Sequence, residues 1–218
     1  MDFSLYLEFG PALLKGFTYT VYVCSLGLLL GLAWGLVLYL ISLRPGALWR
    51  WFYRGYLATF RGTPLLVQVY LLFYGGPFIG LSLSAEFVGV LCLALYVAAY
   101  FAEIYRSGFE SLAKGQLEAA QDLGMSRITT LVKIQLPQML ALIIPPCLNQ
   151  TIIMVKESAI LSVITVPEMT TAAVRMATQT FTVVEPYLFL ALAYWCLNFA
   201  IAKVANYCEL RATHYLRS

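Results

Sequence analysis

Charged residues are so sparse in this chain that they cut it into long apolar stretches, and those stretches limit what it can fold into. Lys15 and Arg44 bracket the uncharged run Phe17–Leu43, and Arg61 and Glu86 bracket a second, interrupted by Gly75-Gly76-Pro77. Glu86 and Glu103 bracket Phe87–Ala102; Lys133 and Lys156 bracket a fourth run with Pro145-Pro146 in its middle; Glu185 and Lys203 bracket a fifth. A helix needs about 20 mainly apolar residues to cross a bilayer. The third and fifth runs are shorter, so their flanking charges must sit at the interface. Ser158–Pro167 is a further apolar piece, too short to cross, and reads as a re-entrant or half-buried segment. Composition agrees: 61% of residues are apolar and 11% charged, whereas a soluble domain carries about 25% charged residues. Lipid is the solvent these numbers require; disordered, fibrous and disulfide-scaffold chains are excluded.

The pattern predicts an all-α membrane protein of one domain, 1–218, with five transmembrane helices at about 17–43, 62–82, 85–104, 138–155 and 186–206. The run after Lys15 is too long for the apolar region of a signal peptide, and Asp2 and Glu8 stand where such a peptide carries positive charge, so it reads as a retained span. Lysine and arginine set the orientation. With the N-terminus outside and the C-terminus cytoplasmic, eleven of the 14 basic residues fall inside; Lys15, Lys156 and Arg175 do not. That bias accounts for the net charge of +3 without nucleic acid. The five cysteines form no CxxC and mostly lie in apolar runs, which reads as buried free thiols. The one histidine, His214, rules out paired-histidine zinc chemistry, and no metal site is expected.

Two polar stretches remain, a cytoplasmic loop at 105–137 and a segment at Lys156–Glu185. In the first, Gln116–Leu123 is a run of helix formers with Glu118 in its expected first turn, and Leu117, Ala120 and Leu123 share a face. Gly124 suits a helix stop and Ser126 the cap of a second short helix carrying Ile128, Leu131 and Val132; Pro137 opens the next span. The small pair Ala119-Ala120 is expected to be exposed, letting another backbone approach. Periodicity alone leaves this loop either a docking knob or a plain amphipathic connection.

The same stretch resembles the EAA signature of ATP-binding-cassette importer permeases: Glu118-Ala119-Ala120, then Gly124, then Ile134-Gln135-Leu136-Pro137. Arg61-Gly62-Thr63-Pro64-Leu65-Leu66-Val67-Gln68, Glu103 through Gly108, and Lys114-Gly115-Gln116 are similar to the polar amino-acid branch of that family, the histidine, arginine and glutamine type. The resemblance implies the MetI-like permease fold in the bacterial inner membrane. It further implies an ATPase-coupling loop of Glu118, Ala119, Ala120, Gly124, Ile134, Leu136 and Pro137, with the short helix seated in a groove of an ATP-hydrolysing subunit. The implied partners are an ATP-binding subunit dimer, a second permease subunit (identical or paralogous), an extracytoplasmic amino-acid-binding protein and the bilayer. No cofactor is expected in this chain. It has no GxxxxGK[ST], so ATP and Mg would be bound by the partner ATPase.

Other residues carry two readings each. Arg61 is a working group or an interfacial anchor. Pro145-Pro146 must interrupt the backbone ladder of the fourth span, and the freed carbonyls need partners or must line a cavity. Asn149, Gln150 and Thr151 follow, bonding between helices or lining a pathway. Lys156-Glu157-Ser158 places opposite charges between apolar runs, either an interfacial ion pair or, given the resemblance, groups that meet an amino acid's carboxylate and ammonium. The candidate pathway is thus Asn149, Gln150, Lys156, Glu157, Ser158 and Gln68. No nucleophile–base pair marks an enzyme, and facing intramembrane charges of a self-sufficient channel or carrier are few.

Overall fold

The computed structural model describes residues 4–217, with side chains through Cys208. Asp2 and the side chains of Arg211, His214 and Arg217 lie outside the described residues. Every regular element described is helical: α1 Ser4–Ser42, α2 Ala47–Gly62, α3 Leu65–Tyr70, α4 Ala85–Glu110, α5 Lys114–Asp122, α6 Arg127–Thr130, α7 Leu136–Glu157, α8 Met169–Thr180 and α9 Val184–Arg217. A wide turn, Leu71–Gly75, and a tight one, Gly76–Ile79, extend α3; Leu131–Gln135 joins α6 to α7; and Ser158–Ile164 continues α7.

Among the described residues, four helical stretches are long and apolar enough to cross a membrane, namely Ser4–Ser42, Ala85–Glu110, Arg127–Ile164 and Val184–Cys208. A fifth arises only if Ala47–Gly62 and Leu65–Ile79, bent by 103°, count as one span. Several expected boundaries move. α1 starts at Ser4 rather than near 17 and carries Pro11 and Lys15 within it. The loop expected at 105–137 shrinks, because α4 runs on to Glu110 and, beyond the short α5, helix is continuous from Arg127 into α7. Pro145 and Pro146 do not break α7; each removes one donor, and neighbouring bonds hold the turn. Ser158–Ile164 is the tightened end of α7 rather than a re-entrant piece, with Ser158, Leu161 and Ile164 buried.

The centre of the bundle is α4, hydrophobic nearly all round and buried at Leu93, Val97, Ala98, Phe101 and Ala102. α1 lies against it along Gly27, Gly31 and Gly35, one per turn. A Cβ on Gly31 would collide with Val97 Cγ1, and one on Gly35 would sit 2.8 Å from Phe101 Cβ. The order Gly-xxx-Gly-xxx-Gly lets two backbones approach so closely. In lipid the hydrophobic term between helices largely vanishes, because acyl chains are as apolar as leucine; such contact must supply the attraction. Cys24 and Cys92 are buried thiols as expected, but Cys196 is exposed on the outer face of α9.

Candidate functional site

The bend after α2 follows from Thr63-Pro64. Proline pushes the preceding residue out of the helical region, and Thr63 is extended at φ −120°, ψ 146°. The chain restarts as α3 with Pro64 at its N-cap. Gln68, one turn in, folds back: its Nε2 donates to Phe60 O at 3.2 Å, Thr63 O at 3.1 Å and Thr63 Oγ1 at 3.0 Å. Its amide therefore closes the corner instead of joining the other pathway candidates. Gln68→Leu should leave these carbonyls unsatisfied and cost about 1–3 kcal/mol, read as a lower melting temperature in detergent.

Glu103 is the hub on which the bend rests. Its Oε1 accepts from Tyr53 of α2 at 2.7 Å, and Arg106 grips both carboxylate oxygens, Nε at 3.0 Å and Nη2 at 3.1 Å. Arg61, at the corner, approaches Oε2 at 3.4 Å and lies over the Tyr100 ring, 5.2 Å from its centroid. Arg106 also donates to Glu110 at 2.6 Å. Beside this network opens a cavity of about 440 Å³ between α4 and α7, lined by Arg61, Tyr100, Glu103, Arg106, Ser107 and Pro146 among others. Arg61 is thus an ion-paired corner residue and also a cavity wall.

From that cavity a polar stripe runs along α4 through Tyr100 and Tyr96, whose rings lie 5.1 Å apart. Tyr96 lies within electrostatic reach of Gln150 and Glu157 on α7. Gln150 and Glu157 are seven residues apart and share a helix face; Gln150 is buried, and its Nε2 donates no hydrogen bond among the described residues. The other candidates lie elsewhere. Asn149 and Lys156 are exposed on the adjacent face, and Lys156 makes no ion pair with Glu157 among the described residues. Ser158 is turned inward, bonding Val155 O at 2.8 Å. The sequence reading did not single out Tyr96 or Tyr100. The signal was there: Tyr96, Tyr100 and Glu103 recur at helical spacing inside an apolar span.

At the end of the bundle where Tyr39 of α1 stacks on Phe109 of α4, α5 stands out as a short helix. It ends as its sequence requires: Gly124 takes φ +71°, Gly124 N donates to Gln121 O at 2.9 Å and Met125 N to Ala120 O at 3.0 Å. Ser126 Oγ accepts from Thr129 N at 3.1 Å to cap α6. Beyond, Leu136 N reaches back five residues to Leu131 O, so helix passes into α7 despite Pro137. α5 begins at Lys114, which puts Glu118 past the first turn. Of the small pair only Ala119 is exposed; Ala120 is buried beneath the corner. Leu123 is 81% exposed and Ile128 75%, so the apolar side of the corner faces outward. Ile134, Leu136 and Pro137 are half-buried at its base, and Gln138 Nε2 donates to Gln116 Oε1 at 2.9 Å, tying α5 to α7.

Residues 27–214 match the family described as the binding-protein-dependent transport system inner membrane component. The chain belongs to this family. The permease is 35% identical over 213 residues to the probable amino-acid ABC transporter permease YckA of Bacillus subtilis, covering 98% of this chain and 94% of that one. It is 32% identical over 210 residues to the B. subtilis arginine transport permease ArtQ, covering 96% of each. Among solved structures, an amino acid ABC transporter with histidines superposes at TM-score 0.90 with 32% identity, covering 97% of this chain and 99% of that one. The MetNI methionine transporter, inward-facing, superposes at 0.72 with 17% identity over 98% of this chain and 100% of that one, a likeness of fold. The permease is thus an inner-membrane component of an amino-acid ABC importer.

Proposed function

We propose that this permease translocates a polar amino acid by alternating access, spanning the membrane five times with its N-terminus outside. Two such subunits would form the route at a shared interface. Tyr96, Tyr100, Gln150 and Glu157 would line it, with Arg61 at its inner end. An extracytoplasmic binding protein would deliver the amino acid, and a separate ATPase pair would supply the energy. The observation that carries this reading is α5: a short helix with an outward apolar corner, tied to α7, the helix that bears Gln150 and Glu157, through the Gln138–Gln116 bond. A push on α5 reaches the stripe through one continuous helix, so ATP-driven closure can bias one of two permease states over the other.

The test is Glu118→Lys in the complex with its ATPase. Glu118 is exposed, so the fold should be unchanged, while ATP hydrolysis stimulated by the loaded binding protein should fall to the unstimulated rate. Normal coupled hydrolysis would sink the role of α5. For the route, Glu157→Gln should change selectivity among cationic, neutral and acidic amino acids while leaving assembly intact. Identical uptake kinetics across the three classes would remove Glu157 from it.

A further inference from the structure

α2 presents three distinct faces. Tyr53, Tyr56 and Leu57 pack inward against Trp34 of α1 and Ala98 and Ala102 of α4. Arg50, Arg54 and Arg61 stand four and seven residues apart along a second line, and Arg61 is engaged by Glu103. Arg50 and Arg54 are exposed and make no ion pair among the described residues. Their isolation has a simple source: no Asp or Glu occurs between Glu8 and Glu86. The third face is apolar and outward, with Leu48 73%, Trp51 79% and Phe52 43% exposed. The 103° bend sets α2 roughly perpendicular to the segment that continues it, so where that segment crosses the bilayer, α2 lies in the membrane plane.

We propose that α2 is a binding site for anionic phospholipid headgroups at the bilayer surface. Trp51, Leu48 and Phe52 enter the upper acyl layer, and Arg50 and Arg54 hold lipid phosphates that carry a net negative charge, as in phosphatidylglycerol. A helix with an apolar face for the acyl boundary and arginines beside it has the chemistry of an in-plane anchor, and unpaired guanidinium groups at headgroup depth match phosphate oxygens two donors at a time. Each such charge favours an anionic surface about fivefold. Because Tyr53 and Arg61 bond Glu103 from the same helix, lipid bound here sits on the corner that borders the cavity between α4 and α7.

The experiment uses the full chain in nanodiscs, alone and with its ATPase partner. Trp34→Phe and Trp195→Phe leave Trp49 and Trp51 as the fluorophores. Brominated phosphatidylglycerol and brominated phosphatidylcholine, at equal mole fraction, then compete to quench them. A preference for phosphatidylglycerol of fivefold or more is expected, shrinking with added salt, lost in Arg50→Gln/Arg54→Gln and retained in Arg50→Lys/Arg54→Lys. Equal quenching by the two lipids would overturn the proposal, as would a preference that survives the double glutamine change. Quenching abolished when the ATPase binds would assign this face to a protein partner and overturn it equally. None of these readouts depends on transport, so failure here leaves the assignment of α5 and the stripe standing.

Discussion

Gly31→Leu is expected to prevent stable assembly of the bundle. The side chain would have to occupy space filled by Val97, on a helix buried on most sides, and the Ala94 carbonyl oxygen lies 3.2 Å from where its Cβ would stand. Val97 is β-branched and fully buried, so it has no other rotamer to take. Overpacking of this kind costs about 3 kcal/mol or more when the backbones must separate. Separation would also pull Tyr105 from the Leu32 carbonyl, which it meets at 3.4 Å. Size-exclusion profiles and melting temperature in detergent report the effect. Gly55→Ala is the control: nothing lies within 4 Å of its Cβ position, and alanine in an exposed helix should gain about 0.5–1 kcal/mol. Equal behaviour of the two variants would refute the account of α1–α4 packing.

Glu168→Ala is expected to detach α8 from α1. Glu168 is almost fully buried, at 1% exposure. Its carboxylate accepts from Thr170 N and Thr171 N, each at 2.8 Å, capping α8. Thr20 of α1 lies beside it at 3.5 Å and accepts from Met169 N at 3.0 Å. Gly16 makes room there, since a Cβ at that position would stand 2.9 Å from Met169 Cα. Alanine would orphan two partly buried donors and leave a void where the buried side chain stood, a loss of about 2–4 kcal/mol.

Burial also pushes the Glu168 carboxyl above its ordinary value, against the backbone and side-chain hydrogen bonds from Thr170 and Thr171 that favour the charge. The folded state then keeps its proton after the unfolded state has lost it. Stability is accordingly greatest below the ordinary carboxylate range and declines as pH rises from there to the elevated folded value, at no more than about 1.4 kcal/mol per pH unit. Above that value it is flat. Melting temperature against pH should show this decline in the wild type and lack it in Glu168→Gln. A stability that rises across the same window would contradict it.

Much of this was legible in advance. Charge spacing revealed each long apolar helix, because a bilayer demands length and apolarity locally, residue by residue. Gly124 and Ser126 announced the corner after α5, because caps depend on two or three adjacent residues. Signals of another kind were present but unread. Gly27, Gly31 and Gly35 sit four apart, and Tyr96, Tyr100 and Glu103 share a helix face, but the meaning of either pattern depends on which helix lies opposite. Charge spacing also misled where a charge can be carried inside a helical stretch: Lys15 rides on α1, and Lys133 lies within the continuous stretch Arg127–Ile164, so both stretches exceed the runs those charges bracket.

Sequence alone therefore determined the solvent, the helical class, the corner of α5 and, by resemblance, the family, because each is written in composition or in short contiguous motifs. Only the tertiary structure decided that Gln68 folds back to close a bend, that Ala120 is covered while Leu123 is not, and that Glu168 is buried against Thr20. Those outcomes depend on groups that are distant in sequence, and a side chain's partner exists only once the helices have packed.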